Sequence, residues 1–163
     1  MQTSIENIPQ NLQEFEALAE GEKTPEKICA LFLCALSLFA KDKEAGTAAM
    51  NILRGPRPMT PYDIQFMRDR LNGKAYLSFA YFEGAKPENG YKPNIPYVLN
   101  VLEDSKSQDT EPGFLRVFLK TQGADSPRPI KLRQKASTGE WFLWDYTSIL
   151  VGIRVPASDD PWA

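Results

Sequence analysis

Histidine is absent from all 163 residues. With it goes the side chain whose ordinary pKa suits general-base work near neutral pH, the commonest metal ligand and every imidazole-based triad. Acid–base chemistry would then fall on carboxylates and phenols. Asp145 and Tyr146 adjoin in an aromatic run, and with Tyr81 they are the residues a histidine-free hydrolase or isomerase would place around a pocket in a sheet. One acid without a partner is a thin basis for catalysis, so no residue is assigned a catalytic role. Cys29 and Cys34 share one apolar run. On a helix their five-residue spacing sets the Cα atoms roughly 8 to 9 Å apart, beyond the limit of about 7 Å for a disulfide. They read as buried free thiols without a base beside them. Asp104 with Asp109 and Glu111, and Asp159 with Asp160, lack the spacing of a calcium loop. No phosphate loop, dinucleotide fingerprint or nucleophile elbow occurs. Neither metal nor cofactor is expected.

Binding chemistry is better represented. In Glu140-Trp141-Phe142-Leu143-Trp144-Asp145-Tyr146, strand alternation sends Trp141, Leu143 and Asp145 to one face and Phe142, Trp144 and Tyr146 to the other. Both faces carry large apolar surface. One must meet the core, and the other is covered by loops or marks a pocket or partner surface. Trp141, Trp144 and Tyr146, with Arg154 to set orientation, are the candidate ligand- or partner-binding residues. In Ile130-Lys131-Leu132-Arg133-Gln134-Lys135-Ala136 the alternation points Lys131, Arg133 and Lys135 outward. If Arg116 and Lys120 of the preceding strand turn the same way, five cations share one face with Phe114 and Phe118, a pattern able to track a phosphate backbone. The bland alternative is a solvated face whose lysines guard against edge pairing. Pro58-Met59-Thr60-Pro61 matches a minimal proline-x-x-proline ligand, but such matches arise readily by chance and a rigid inter-helix connection is the favoured explanation.

The elements that must position these residues are legible. Thr24 before Pro25 and Glu26 caps a helix whose body, Ile28 to Ala40, is apolar on every face. At about 13 residues that run is too short to span a bilayer and reads as the central buried helix. A second helix, or a bent continuation of the first, runs from Glu44 to Arg54, where Gly55-Pro56 stops it. Thr60-Pro61-Tyr62-Asp63 opens another, closed by Asn72-Gly73. Ahead of these, Ile5, Ile8, Leu12, Phe15 and Leu18 suggest a peripheral amphipathic helix from about Pro9 to Ala19. Beyond Gly73 the period becomes two, with strands expected at 75–83, 95–103, 114–121, 130–136 and 140–146. Connections without helix-length segments make these an antiparallel meander. The fold class is α+β, with helices on one face of a curved antiparallel sheet of about five strands.

Length and composition agree with one domain over 1–163: an acidic segment at 1–22, helices at 24–72, sheet at 75–156 and a tail at 157–163. The chain is 42% hydrophobic and 25% charged, with formal charge −2 and pI about 5.3. Such a balance argues against a dedicated nucleic-acid binder and against anionic membranes. The first 22 residues carry five glutamates and no Lys or Arg, the opposite of a signal peptide, so a cytoplasmic location is expected.

The segment Gly139-Glu140-Trp141-Phe142-Leu143-Trp144-Asp145-Tyr146-Thr147-Ser148-Ile149-Leu150-Val151-Gly152-Ile153-Arg154-Val155-Pro156, with Asp160-Pro161-Trp162-Ala163, resembles the closing signature of a small uncharacterised bacterial family, a domain of unknown function. That resemblance brings no catalytic residue. Helices followed by a meander whose last strand holds Gly-x-Trp are also similar to the cystatin-like and nuclear-transport-factor-like superfold, which implies a curved sheet around a helix and, in some members, a cone-shaped pocket. Superfolds host many activities. The leading expectation is a non-enzymatic domain that binds a protein partner or a small apolar ligand through its C-terminal aromatics, with oligomeric state unassigned. The alternatives are polyanion binding through strand 130–136 and the histidine-free enzyme.

Overall fold

The computed structural model describes residues 1–104 and 106–163, apart from the side chains of residues 108 and 109. In chain order it contains β1 (Gln2–Ile5), α1 (Leu12–Ala19), α2 (Pro25–Lys41), α3 (Lys43–Arg54), α4 (Pro61–Leu71), β2 (Tyr97–Glu103), the single turn α5 (Ser107–Thr110), β3 (Phe114–Leu119), β4 (Arg128–Gln134) and β5 (Trp141–Asp145). Short 3₁₀ segments lie at Ala75–Tyr81, Pro87–Asn89, Thr147–Leu150 and Ala157–Asp159.

The helices begin and end for local reasons. Thr24 accepts a hydrogen bond from the Lys27 amide and Pro25 occupies the first turn of α2, where its missing N–H costs nothing. Every residue from Ile28 to Phe39 is buried, so this is the central helix. Asp42 ends it and also caps α3, its carboxylate accepting from the Glu44 and Ala45 amides. The two helices are therefore separate. They cross closely, since a Cβ on Gly46 would lie 2.2 Å from the Phe39 Cα. α4 opens with a full capping box, Thr60 and Asp63 bonding each other's amides.

All five strands form one antiparallel sheet in the order β1-β2-β3-β4-β5. From β2 to β5 it is a meander; β1 reaches its place beside β2 across the whole helical layer. Both outer strands contact α2, so the sheet curls around that helix. Leu115, Val117 and Leu119 of β3, Ile130 and Leu132 of β4 and Leu143 of β5 face it and join one core cluster with α2. The α+β class and the curved five-strand sheet are thus those expected from the sequence.

The first of the expected strands does not form. Residues 75–83, expected as a strand, form the 3₁₀ segment Ala75–Tyr81, with only an isolated bridge from Phe82 to Leu99. Its buried residues are Leu77, Ser78, Ala80 and Tyr81, a three-residue recurrence that outweighs the apparent alternation. Gln2–Ile5 takes the vacant edge, pairing Thr3 with Leu99 and Ile5 with Tyr97. The acidic segment 1–22 therefore combines an edge strand with a helix, and α1 starts at Leu12 because Asn11 caps it. Among the described residues, no helix is long and apolar enough to cross a membrane.

Candidate binding groove

An irregularity in the last hairpin decides where the aromatics point. Lys131 pairs with Asp145 but Leu132 pairs with Leu143, leaving Trp144 as an extra residue in β5, a β-bulge. Strict alternation fails there. Trp141 and Leu143 share the core face, which removes Trp141 from the candidate binding residues, whereas Asp145, expected beside them, is exposed and accepts hydrogen bonds from the Thr147 amide and hydroxyl. Tyr146, expected on the face of Phe142 and Trp144, is buried against Phe32 with ring centroids 5.0 Å apart. Phe142 and Trp144 do lie outward, each half-buried.

What half-buries them is the α3–α4 connection. Gly55 ends α3 at φ +61°, and a Cβ there would lie 2.7 Å from the Phe142 ring. Glycine suits both the conformation and the close approach. Pro56 follows, and Arg57 then lies over Trp144, its guanidinium 4.1 Å from the indole centroid. Arg57 Nη2 also donates to the Trp144 carbonyl. Arg133 of β4 contacts the same indole at 4.7 Å and Phe114 at 5.1 Å, while Phe114 meets Trp144 edge to face at 5.2 Å. Two guanidiniums thus hold one indole through cation–π contacts.

Beneath the connection is a buried polar knot. Arg54, 5% exposed, pairs through Nη2 with Asp63 Oδ2 at 3.1 Å. Its Nη1 donates to the Tyr146 hydroxyl at 2.7 Å and its Nε to the Arg57 carbonyl at 2.9 Å. Arg54 therefore joins α3, α4 and the end of β5, and fixes the backbone from which Arg57 projects. Burial pushes the Tyr146 phenol up, against the pull of Arg54. Burial and the neighbouring Arg54 charge lower Arg57. Burial would raise Asp63, but the Thr60 hydrogen bonds and the Arg54 and Arg57 charges outweigh it and hold the carboxyl below its ordinary value. Arg57 Nε is buried without a hydrogen-bond partner.

Pro56, Arg57, Arg133, Lys135, Phe142 and Trp144 line a groove of about 450 Å³. Among the described residues, no carboxylate lines it. Glu140 sits across the turn from Lys135, whose amide donates to the Glu140 carbonyl, but its carboxylate lies outside the groove lining and is bound to Lys23 at 3.2 Å. The structure brings Trp144, Arg133 and Lys135 together and separates the other candidates. Trp141 is core, and its amide donates to the Lys23 carbonyl. Arg154 pairs with Asp125 at 2.9 Å and bonds the Gln122 carbonyl. Arg116 pairs with Asp104 at 2.9 Å, and Lys131 with Glu111. Lys120 lines a different cavity, of about 330 Å³, with Glu83 and Asp125.

A larger cavity of about 630 Å³ holds Asp145 with Asp104, Glu111, Arg116 and Lys131, but neither Tyr81 nor Tyr146. Tyr81 is buried, donating its hydroxyl to the Ile149 carbonyl. Among the described residues no group of three acidic or thiol side chains is placed to hold a metal; the Asp109 side chain lies outside them. Met59 is buried and Thr60-Pro61 opens α4, so the proline-x-x-proline segment is built into the helix connection. Arg54 and Arg57 are not marked as site residues by the sequence. Gly55-Pro56 marked the turn, but nothing in the chain pairs that turn with residue 144.

The chain belongs to the family described as domain of unknown function (DUF6935), which matches residues 7–157. No curated protein and no solved structure matches it.

Proposed function

We propose that this domain is a non-enzymatic binding module whose groove takes an acidic, aromatic-bearing segment of a protein partner. The observation that carries this is the indole of Trp144 held by Arg57 and Arg133 in a groove that Lys135 flanks and no described carboxylate lines. Guanidinium forks match carboxylates bidentately, and such charge-assisted bonds are roughly twice as strong as neutral ones. Aromatic surface beside them supplies apolar contact, the combination enriched at interface hot spots. The cations in its lining suit a charged segment better than a small apolar ligand.

Two features weigh against the alternatives. Arg116 and Lys131 are neutralised by Asp104 and Glu111, which breaks the row of cations a phosphate backbone would follow. Asp145 and Tyr146 occupy different environments, one exposed and one in the core, so they do not form an acid–base pair. The buried free thiols of Cys29 and Cys34 favour a reducing, cytoplasmic setting.

Anisotropy titrations test the reading with a rhodamine-labelled peptide Glu-Asp-Pro-Phe-Glu, its Gln/Asn counterpart and a labelled single-stranded oligonucleotide. The acidic peptide is expected to bind, more weakly as salt rises, and to lose binding in the double variant Arg57→Ala with Arg133→Ala. Equal binding of the neutral peptide, or preference for the oligonucleotide, overturns it.

A further inference from the structure

A segment whose chemistry matches the groove lies on this chain itself. Trp162 is 93% exposed, more than any other large apolar side chain among the described residues. It is presented on a defined turn: the Asp160 carboxylate accepts from the Trp162 amide at 2.8 Å, and the Ala163 amide donates to the Asp160 carbonyl. Asp159 is exposed immediately before it. The nearest preceding cation, Arg154, is engaged by Asp125. The segment is fixed at its base, where the Tyr91 hydroxyl bonds the Arg154 carbonyl and residues 157–159 pack on the 3₁₀ turn at 87–89. Neither anchor lines the groove. One surface thus offers an aromatic ring flanked by two carboxylates on a preformed turn, and another offers two aromatic rings flanked by three cations.

We infer that the groove receives residues 159–162 of a second copy of this chain, so that copies associate through tail and groove. This rests on the groove reading above. Asp159 and Asp160 supply the negative charge that Arg57, Arg133 and Lys135 meet, and the Trp162 indole joins Phe142 and Trp144. A preformed turn lowers the ordering cost that a flexible tail would bear. Because the two surfaces differ, the contact is heterologous: it closes when two copies exchange tails and otherwise propagates.

Sedimentation equilibrium from about 10 µM to about 1 mM tests this, a range matched to the millimolar-to-micromolar affinity of a small contact. The weight-average mass of the intact chain is expected to climb from 18.4 kDa with concentration, less steeply in high salt. Trp162→Ala and Arg133→Glu should each remain monomeric. Both sites are at the surface, and unchanged circular dichroism confirms folding. Mixed, the first variant keeps a sound groove and the second a sound tail, so they should form a 1:1 pair and nothing larger. A constant monomer mass overturns the inference, and so does association that survives both substitutions. If the acidic peptide still binds that monomer, the groove reading stands and only the occupant is wrong; if the peptide fails as well, both fall.

Discussion

Arg57 touches Trp144 twice. Its guanidinium lies 4.1 Å from the indole centroid, and its Nη2 donates to the carbonyl of the same residue. The two residues are 87 apart in sequence, so this pair ties the α3–α4 connection to the bulge of β5 and forms one wall of the groove. Arg54, bonded to the Arg57 carbonyl and paired with Asp63, holds that wall from beneath.

Replacing Arg57 with alanine removes the stacking and the hydrogen bond together. We expect a stability loss of about 1 to 3 kcal/mol and a red shift in tryptophan emission as Trp144 meets water. Urea unfolding followed by fluorescence measures both. An unchanged spectrum would show that Arg57 does not cover the indole in solution.

Gly55→Ala places a methyl group 2.7 Å from the Phe142 ring at φ +61°. The strained backbone and the displaced ring should together cost about 1 to 3 kcal/mol. The groove should loosen without losing any charge. Thermal unfolding beside the acidic-peptide titration separates this from a charge effect, since a groove variant of full stability and full binding contradicts the packing described.

Arg54→Met leaves Asp63 without its partner and the Tyr146 hydroxyl without its donor. Breaking a pair buried on one side should cost about 3 kcal/mol. The acid limb carries a further signature. Asp63 is held below its ordinary value in the folded chain, so the unfolded chain binds more protons. Its contribution is therefore fully present above the unfolded pKa of about 3.9 and lost as pH falls through the folded value. Asp63→Asn should flatten stability against pH in that acid window and leave the slope near neutrality alone. An unaltered acid limb would remove Asp63 from the account.

Burial pushes Cys34 up to about 12 and Cys29 higher still. A thiol reagent at neutral pH should label neither in the native state and both in denaturant. Rapid native labelling would contradict the fully buried α2.

The sequence was most informative where local chemistry decides structure. Thr24-Pro25, Gly55-Pro56 and the Thr60–Asp63 box each carry their own local logic, and the helices follow them, whereas the Asp42 cap that separates α2 from α3 is seen only in the structure. Residues 75–83 read as a strand because their alternation also fits the 3₁₀ spacing of Leu77, Ser78, Ala80 and Tyr81. β1 was missed because a four-residue edge strand with one buried side chain, Ile5, carries almost no periodic signal. The groove was half legible. Trp144, Arg133 and Lys135 stood out by type and alternation, but the bulge that exposes Asp145 and buries Tyr146 is set by pairing with β4. Arg57 reaches the site only through tertiary contact.

The three tryptophans allow the central claim to be tested in one spectrum. Trp141 is core, Trp144 lies in the groove and Trp162 stands in solvent, so their indole N–H resonances report three separate places. Titrating ¹⁵N-labelled protein, dilute enough to be monomeric, with the peptide Glu-Asp-Pro-Phe-Glu should move the Trp144 resonance and the Arg133 amide, saturably and less in high salt, while Trp141 stays fixed. A Trp144 resonance that does not move, or shifts spread evenly over the surface, would contradict a groove built for acidic segments.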